Sequence, residues 1–222
     1  MEVSVQQEIE QIEMGRPHVV ILGAGASYAA FPNGDKHGRK LPLMDNFVEI
    51  LGLESLLART KITFETDNFE DIYDKIHKYS ELSQIREELE KVIYTYFNEM
   101  ELPETPTIYD HLLLSLRDKD VVATFNWDPF LIQAFQRNSS KFKLPRLLFL
   151  HGNVKVGGCE KDNVLGAKGN RCSRCQQLFK PSKLLYPISE KNYHRDSFIS
   201  GQWDELSRHL KEAFNKDLRD VH

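Results

Sequence analysis

The stretch His18-Val-Val-Ile-Leu-Gly-Ala-Gly-Ala-Ser27 decides how the rest of this chain is read. Val19, Val20, Ile21 and Leu22 form a short apolar run, which suits a strand buried on both faces, as in a parallel sheet. A turn of small residues follows, and Ser27 opens a helical segment. Glycines let the backbone turn sharply and approach a ligand closely, and a helix start points free N–H groups at an anion. Two readings follow: a phosphate-cradling strand–turn–helix, or a plain tight turn. The full dinucleotide fingerprint would place a third glycine at position 28, where Tyr28 stands.

Composition narrows the classes. The chain has 222 residues, enough for one substantial domain with an insertion or two small ones. Apolar residues make up 41% and charged residues 28%, the balance of a soluble globular protein. A net charge of −4 without a basic patch argues against nucleic acid or an anionic membrane as partner. No apolar run reaches membrane-spanning length, and the four Glu within residues 1–17 exclude a signal or transit peptide. Three cysteines, an odd number, do not form a disulfide framework, so a cytoplasmic location is expected.

Taken in order, residues 1–16 predict a lead-in helix and 17–222 one domain. Residues 31–46 are rich in Gly, Pro and polar side chains and predict a long functional loop. A helical module is expected over about 47–116. Within it Phe47, Ile50, Leu51 and Leu53 read as one helix. Phe69, Ile72, Tyr73 and Ile76 give a clean helical face, capped by Asp67 or Asn68. Apolar residues at 85, 89, 92, 93 and 96 mark a further helix, and 107–116 another. A second apolar strand, 120–124, runs into Phe125-Asn-Trp-Asp128, and Pro129 opens the next helix. A third, 147–150, ends in His151-Gly-Asn153. Residues 153–185 form a small loop-rich lobe with Cys159, Cys172 and Cys175, and 184–188 re-enter the core as a strand or extended segment. A helix over about 198–214 places Trp203, Leu206, Leu210, Ala213 and Phe214 on one face.

Three strands thus end in polar clusters, and ligands of open α/β sheets bind outside the carboxyl ends of the strands. The clusters converge if the strands are neighbours.

Gly-Ala-Gly-x-Ser at 23–27, Thr-Phe-Asn-Trp-Asp at 124–128, Leu-His-Gly at 150–152 and Cys-x-x-Cys at 172–175 together resemble the sirtuins. The closer likeness is to bacterial sirtuin-like domains that hydrolyse NAD in antiphage defence. The resemblance implies an α/β fold: a Rossmann-like parallel sheet, an inserted helical module and a small zinc-ribbon-like lobe. It implies release of nicotinamide and ADP-ribose from NAD, and a homo-oligomer or a defence-system partner. Where protein deacylases continue Gly-Ile-Pro-Asp-Phe-Arg, this loop reads Phe-Pro-Asn-Gly-Asp-Lys, which argues against peptide deacylation. The family's further strands, with their Gly-Tyr-Ser or Gly-Thr-Ser turn, are expected to be missing after Phe214. A non-catalytic module that binds NAD or ADP-ribose, or assembles with a partner, is the alternative.

Cleaving the nicotinamide–ribose bond produces an oxocarbenium-like centre, as in glycoside hydrolysis. His151 is suited to deprotonate a water or ribose hydroxyl, and Asn126 to orient nicotinamide or the water through its amide. Gly23, Ala24, Gly25, Ser27, Thr124 and Gly152 complete the implied NAD-binding set. Asp128 either holds the ribose or carboxamide or caps the following helix. Cys159, Cys172 and Cys175 supply three of the four ligands of a structural zinc, with water or a His from elsewhere as the fourth.

Overall fold

A computed structural model describes residues 17–162, 164–189 and 197–214. The expected lead-in helix over 1–16 and the side chain of Phe214 lie outside the described residues. Three strands, β1 (Val19–Leu22), β2 (Val121–Thr124) and β3 (Arg146–Phe149), pair in parallel in the order β1-β2-β3. Leu22 lies opposite Thr124, and Thr124 opposite Phe149, so the three chains leave the sheet at one end. That shared exit is what positions the site.

Burial on both faces, expected for the first strand, belongs instead to β2, which is buried along its whole length. Among the described residues β1 is an outer strand, and its Ile21 is 52% exposed. The cause is coverage. Alternate side chains face opposite sides of a sheet; Val20 and Leu22 meet the main core, whereas Val19 meets a second cluster under the last helix, α8 (Ser197–Phe214). Helix α8 lays Trp203, Leu206 and Leu210 over Val19, Val121, Ala123 and Leu148. The Trp203 indole N–H donates to the Leu150 carbonyl at 3.2 Å. Ile21, one step further along the same face, lies outside that cover.

A turn without a capping side chain, at Gly23, leads into α1 (Ala24–Ala30). Between β1 and β2 the chain builds a helical module: α2 (Phe47–Leu51), α3 (Glu54–Ala58), α4 (Phe69–His77), α5 (Ser83–Asn98) and α6 (Ile108–Ser115). The single helix expected from Phe47 to Leu53 is two. Gly52 adopts φ +66, a left-handed conformation that ends α2, and Leu53 starts the next helix. Of the two candidate caps for α4, Asn68 accepts the Glu70 N–H at 2.9 Å.

The module closes on the sheet through aromatic packing. Phe47 stacks on Phe69 with ring centroids 4.4 Å apart, and Phe97 and Trp127 meet them edge-on or tilted. Each such buried ring stabilises by about 1.5–3 kcal/mol through area alone. Helix α7 (Phe130–Asn138) connects β2 to β3 and is tied to α6 by Asp110. The Asp110 carboxylate completes a capping box with Thr107 and accepts from Arg137 and Asn138.

The Cys-containing region is a small antiparallel sheet. Strands β4 (Val156–Cys159), β5 (Val164–Ala167) and β6 (Lys180–Pro181) lie in the order β5-β4-β6. Its glycines make room for neighbours: a Cβ at Gly166 would sit 2.1 Å from the Phe179 ring, and one at Gly157 2.6 Å from the Lys180 carbonyl oxygen. Residues 183–188 then return to the core as an extended segment without strand pairing. The molecule is thus a mixed α/β protein with a parallel three-stranded sheet, helices on both faces, and a small lobe that carries the Cys cluster. No helix among the described residues is long and apolar enough to cross a membrane.

Candidate functional site

A cavity of about 230 Å³ opens beyond the carboxyl ends of the three parallel strands. Ala24 and Ser27 reach it from the turn after β1, Asn126 and Asp128 from the end of β2, and His151 from the end of β3. The three polar clusters therefore do meet. Leu41, Pro42 and Met44 of the 31–46 loop, Phe47 and Phe97 of the helical module, and Leu185 and Pro187 of the returning segment make the apolar walls. The loop is held in shape by Asp35, whose carboxylate accepts the backbone N–H groups of His37, Arg39 and Glu101.

At the floor of the cavity lies a network that is almost wholly buried. Ser27 donates to Asp128 Oδ2 at 2.7 Å and accepts from Asn126 Nδ2 at 2.9 Å, and its oxygen is 2.6 Å from the Tyr109 hydroxyl. A hydroxyl has one proton and two lone pairs, so Ser27 is fully used inside the protein. Asn126 donates its second N–H to the Gly23 carbonyl at 3.0 Å, tying the β2 exit to the glycine turn. Its Oδ1 is buried without a partner, as is the indole nitrogen of Trp127. A buried polar atom without a partner costs about 1–3 kcal/mol, and such costs concentrate where a ligand or ordered water completes the bonding.

Asp128 makes the helix-start contact that one of its two readings expected, and it also lines the cavity. Its Oδ1 accepts the Phe130 N–H at 3.2 Å, a helix-start contact, while Oδ2 holds Ser27 at the cavity. Burial pushes its carboxyl up to about 6, against the pull of the Ser27 hydroxyl and the Phe130 N–H. His151 packs edge-to-face on Phe125 with centroids 4.9 Å apart, and its backbone carbonyl accepts the Leu185 N–H at 3.0 Å. The ring thereby lines the cavity beside the returning segment.

The other sequence candidates have different positions. Thr124 is buried behind the cavity, where its hydroxyl accepts the Asn126 N–H at 3.0 Å. Gly152 is required by the backbone: it sits at φ +76, and a Cβ there would lie 2.0 Å from the Lys183 carbonyl oxygen. Gly23 and Gly25 differ, because neither has a positive φ and a Cβ at either would meet nothing within 4 Å. Neither backbone strain nor internal packing explains these two glycines, and the open space above them is what a ligand lying on the turn requires.

Three residues were not among the site residues read from the sequence. Tyr109 lies 82 positions from Ser27 in sequence and carried no local signal. Asn153 donates to the Asp128 carbonyl at 2.7 Å and so braces the 126–128 turn. Glu70, on the first turn of α4, adds a carboxylate to the cavity lining.

In the small lobe the fourth donor is Asp162. One ligand atom from each of Cys159, Asp162, Cys172 and Cys175 lies within 4.8 Å of the others. The three thiols are free, with Cys159 and Cys175 sulfurs 3.3 Å apart and Cys172 3.1 Å from an Asp162 oxygen. Tetrahedral zinc with bonds of about 2.0–2.3 Å places its donors roughly 3.3–3.8 Å apart, so this set fits a metal ion. Beside the water or His expected as the fourth ligand, the β4–β5 turn offers the Asp162 carboxylate. Compared with known proteins, the chain matches no family model and no curated protein.

Proposed function

We propose that this chain is a sirtuin-like NAD hydrolase, its parallel sheet the nucleotide-binding part of a Rossmann-like fold. One observation carries the reading: Ser27, Asn126, Asp128 and His151, from three separate strand exits, line a single apolar-walled cavity. Its volume suits the nicotinamide ribose half of the dinucleotide. The diphosphate then lies along Gly23 and Gly25, where the turn leaves room.

The chemistry asks little covalent help, since nicotinamide is a good leaving group. The apolar walls exclude bulk water and strengthen each polar contact inside. Asn126, held by Ser27 and Gly23, presents its Oδ1 to the carboxamide or to the attacking water. His151 accepts the proton of the water or ribose hydroxyl as the oxocarbenium-like centre is captured. Asp128 keeps a carboxylate close to that cationic centre. Zinc held by Cys159, Asp162, Cys172 and Cys175 would supply a structural cross-link for the small lobe, with no part in bond cleavage. The resemblance extends the reading to an antiphage effector in which a signal or partner switches on NAD depletion.

Incubation with NAD and measurement of free nicotinamide tests this. His151→Ala should lower turnover by about 100-fold or more while leaving the thermal unfolding midpoint in place. Asn126→Ala should lower turnover as far and also cost about 1–3 kcal/mol of stability, because it removes two hydrogen bonds at the cavity floor. Equal turnover by wild type and His151→Ala would overturn the mechanism. A second reading, a non-catalytic NAD or ADP-ribose module that assembles with a partner, is favoured by the outer edge of β1, which pairs with no further strand among the described residues and leaves Ile21 exposed. Calorimetric binding of NAD with no nicotinamide release would select it.

A further inference from the structure

Tyr109 is 2% exposed and lies outside the cavity lining, yet it touches the hub on which the cavity floor depends. The Ser27 hydroxyl, 1% exposed, has three neighbours within hydrogen-bond distance and a single proton to give. Asn126 Nδ2 only donates, and an ionised Asp128 only accepts. With Asp128 ionised, the Ser27 proton points to Asp128, both Ser27 lone pairs are filled, and Tyr109 must be a donor. With a proton on Asp128 Oδ2, the arrangement fails. Ser27 would turn its proton to Tyr109, and the buried phenol hydrogen would lose the Ser27 oxygen as its acceptor. The geometry thus favours one direction for the whole chain of bonds.

We propose that Tyr109 is a positioning residue for the cavity: its phenol, donating to Ser27, fixes the Ser27 hydroxyl on Asp128 and so holds Asp128 ionised and Asn126 with its carboxamide oxygen free for a ligand. Hydrogen bonds in series polarise one another, so a donor two steps away strengthens the bond to the carboxylate. The groups that face Asp128 are few. They are Ser27 from α1, Tyr109 from α6, the Phe130 N–H from α7, Asn153 on its backbone carbonyl, and His151 and Glu70 across the cavity. No cation pairs with it in this network, so the oriented hydroxyls carry the charge. The network itself is independent of the NAD-cleaving reading; only the activity arm of the test rests on that reading.

Tyr109→Phe removes the donor and keeps the ring, which packs edge-on against Phe31 with centroids 5.5 Å apart. The Asp128 carboxyl is followed by carbon-13 NMR titration of Asp-labelled protein and identified by the resonance missing in Asp128→Asn. The expected result is a midpoint near 6 in wild type and a rise of roughly half a pH unit to one unit in Tyr109→Phe. The pH profile of nicotinamide release should move by the same amount, with kcat falling and KM nearly unchanged. Ser27→Ala, which removes the hub, should raise the midpoint at least as far and serves if Tyr109→Phe does not fold. An unchanged midpoint in Tyr109→Phe, or in Ser27→Ala where Tyr109→Phe does not fold, overturns the proposal. A raised midpoint in a protein that releases no nicotinamide supports the role of Tyr109 and overturns the NAD reading instead.

Discussion

Asp128→Asn should make the protein more stable at neutral pH and leave it unchanged in acid. In the unfolded chain an aspartate ionises near 4, whereas burial raises Asp128 to about 6 in the fold. Between those two values the folded state keeps a proton that the unfolded state has released. Stability from this group therefore falls as pH rises through about 4 to 6, and the cost is complete above the folded value. A gap of about two pH units at about 1.4 kcal/mol each amounts to about 3 kcal/mol. Asn carries no charge at any pH. Its carbonyl can accept the Phe130 N–H, and its amide can donate to Ser27 with Tyr109 turned to accept, as a protonated carboxyl would require. Urea unfolding followed by circular dichroism between about pH 4 and pH 7 gives the measurement. The stability difference should open by about 3 kcal/mol across the window, which at about 2–3 kcal/mol per molar is a midpoint separation of about 1 M. Asp120 and Glu205 titrate lower. Burial works against Asp120, yet the Arg117 side chain and the His18 N–H hold it down to about 2, and Arg208 with Arg146 holds Glu205 at about 2. Their contributions are lost as pH falls through about 4 to 2, beneath the window of interest. Parallel stability curves for wild type and Asp128→Asn from about pH 4 to 7 would refute the argument.

Gly152→Ala forces a Cβ against the Lys183 carbonyl oxygen at a left-handed φ. It should lower the thermal midpoint by about 6–12 °C, for a cost of about 3 kcal/mol. Asp110→Ala leaves Arg137 partly buried without its carboxylate and removes the Thr107 capping box, so a loss of about 3–5 kcal/mol in urea unfolding is expected. Metal analysis of purified protein should find zinc bound to wild type, none on Cys172→Ser, and a faster loss to chelator from Asp162→Ala. Equal retention by Asp162→Ala and wild type would remove Asp162 from the ligand set.

The parts legible in the sequence were local ones. An apolar run that stops at Gly-Ala-Gly, Asn-Trp-Asp or His-Gly announces a strand and its exit, and parallel pairing brings those exits together. The cap of α4, offered by the sequence as Asp67 or Asn68, is likewise readable from adjacent residues, whereas Thr107, read as the first residue of its helix, is its cap. What was missed depends on partners far along the chain. Nothing near Tyr109 indicates Ser27, and nothing near Asp162 indicates Cys175 until the β4–β5 turn folds back. Strands β4 and β5 read as loop because they contain Gly157, Gly158 and Gly166. Glycine is poor in strands, and here it is tolerated because Phe179 and Lys180 fill the space beside Gly157 and Gly166, and Phe198 that beside Gly158. The exposure of Ile21 was invisible for a related reason: an apolar run states that a strand wants cover, and only the layers above it decide which residues receive it.

The cavity and the Cys lobe are one construction, since the two chain segments that enter and leave the lobe are also parts of the cavity. On the way in, His151 faces the cavity and Asn153 braces the 126–128 turn through the Asp128 carbonyl, after which β4 runs to Cys159. On the way out, β6 passes through Ser182 to Leu185 and Pro187, which form a wall. The two segments are clamped where they cross: Asn153 donates its backbone N–H to the Ser182 hydroxyl at 3.1 Å, and that hydroxyl donates to the Asn153 carbonyl at 2.8 Å. Gly152 lets them approach, and the Leu185 N–H to the His151 carbonyl closes the ladder. Fraying the lobe would therefore loosen the clamp first and then the wall beside His151. A metal ion held at Cys159, Asp162, Cys172 and Cys175 would thus act on the cavity through the fixed geometry of these two segments.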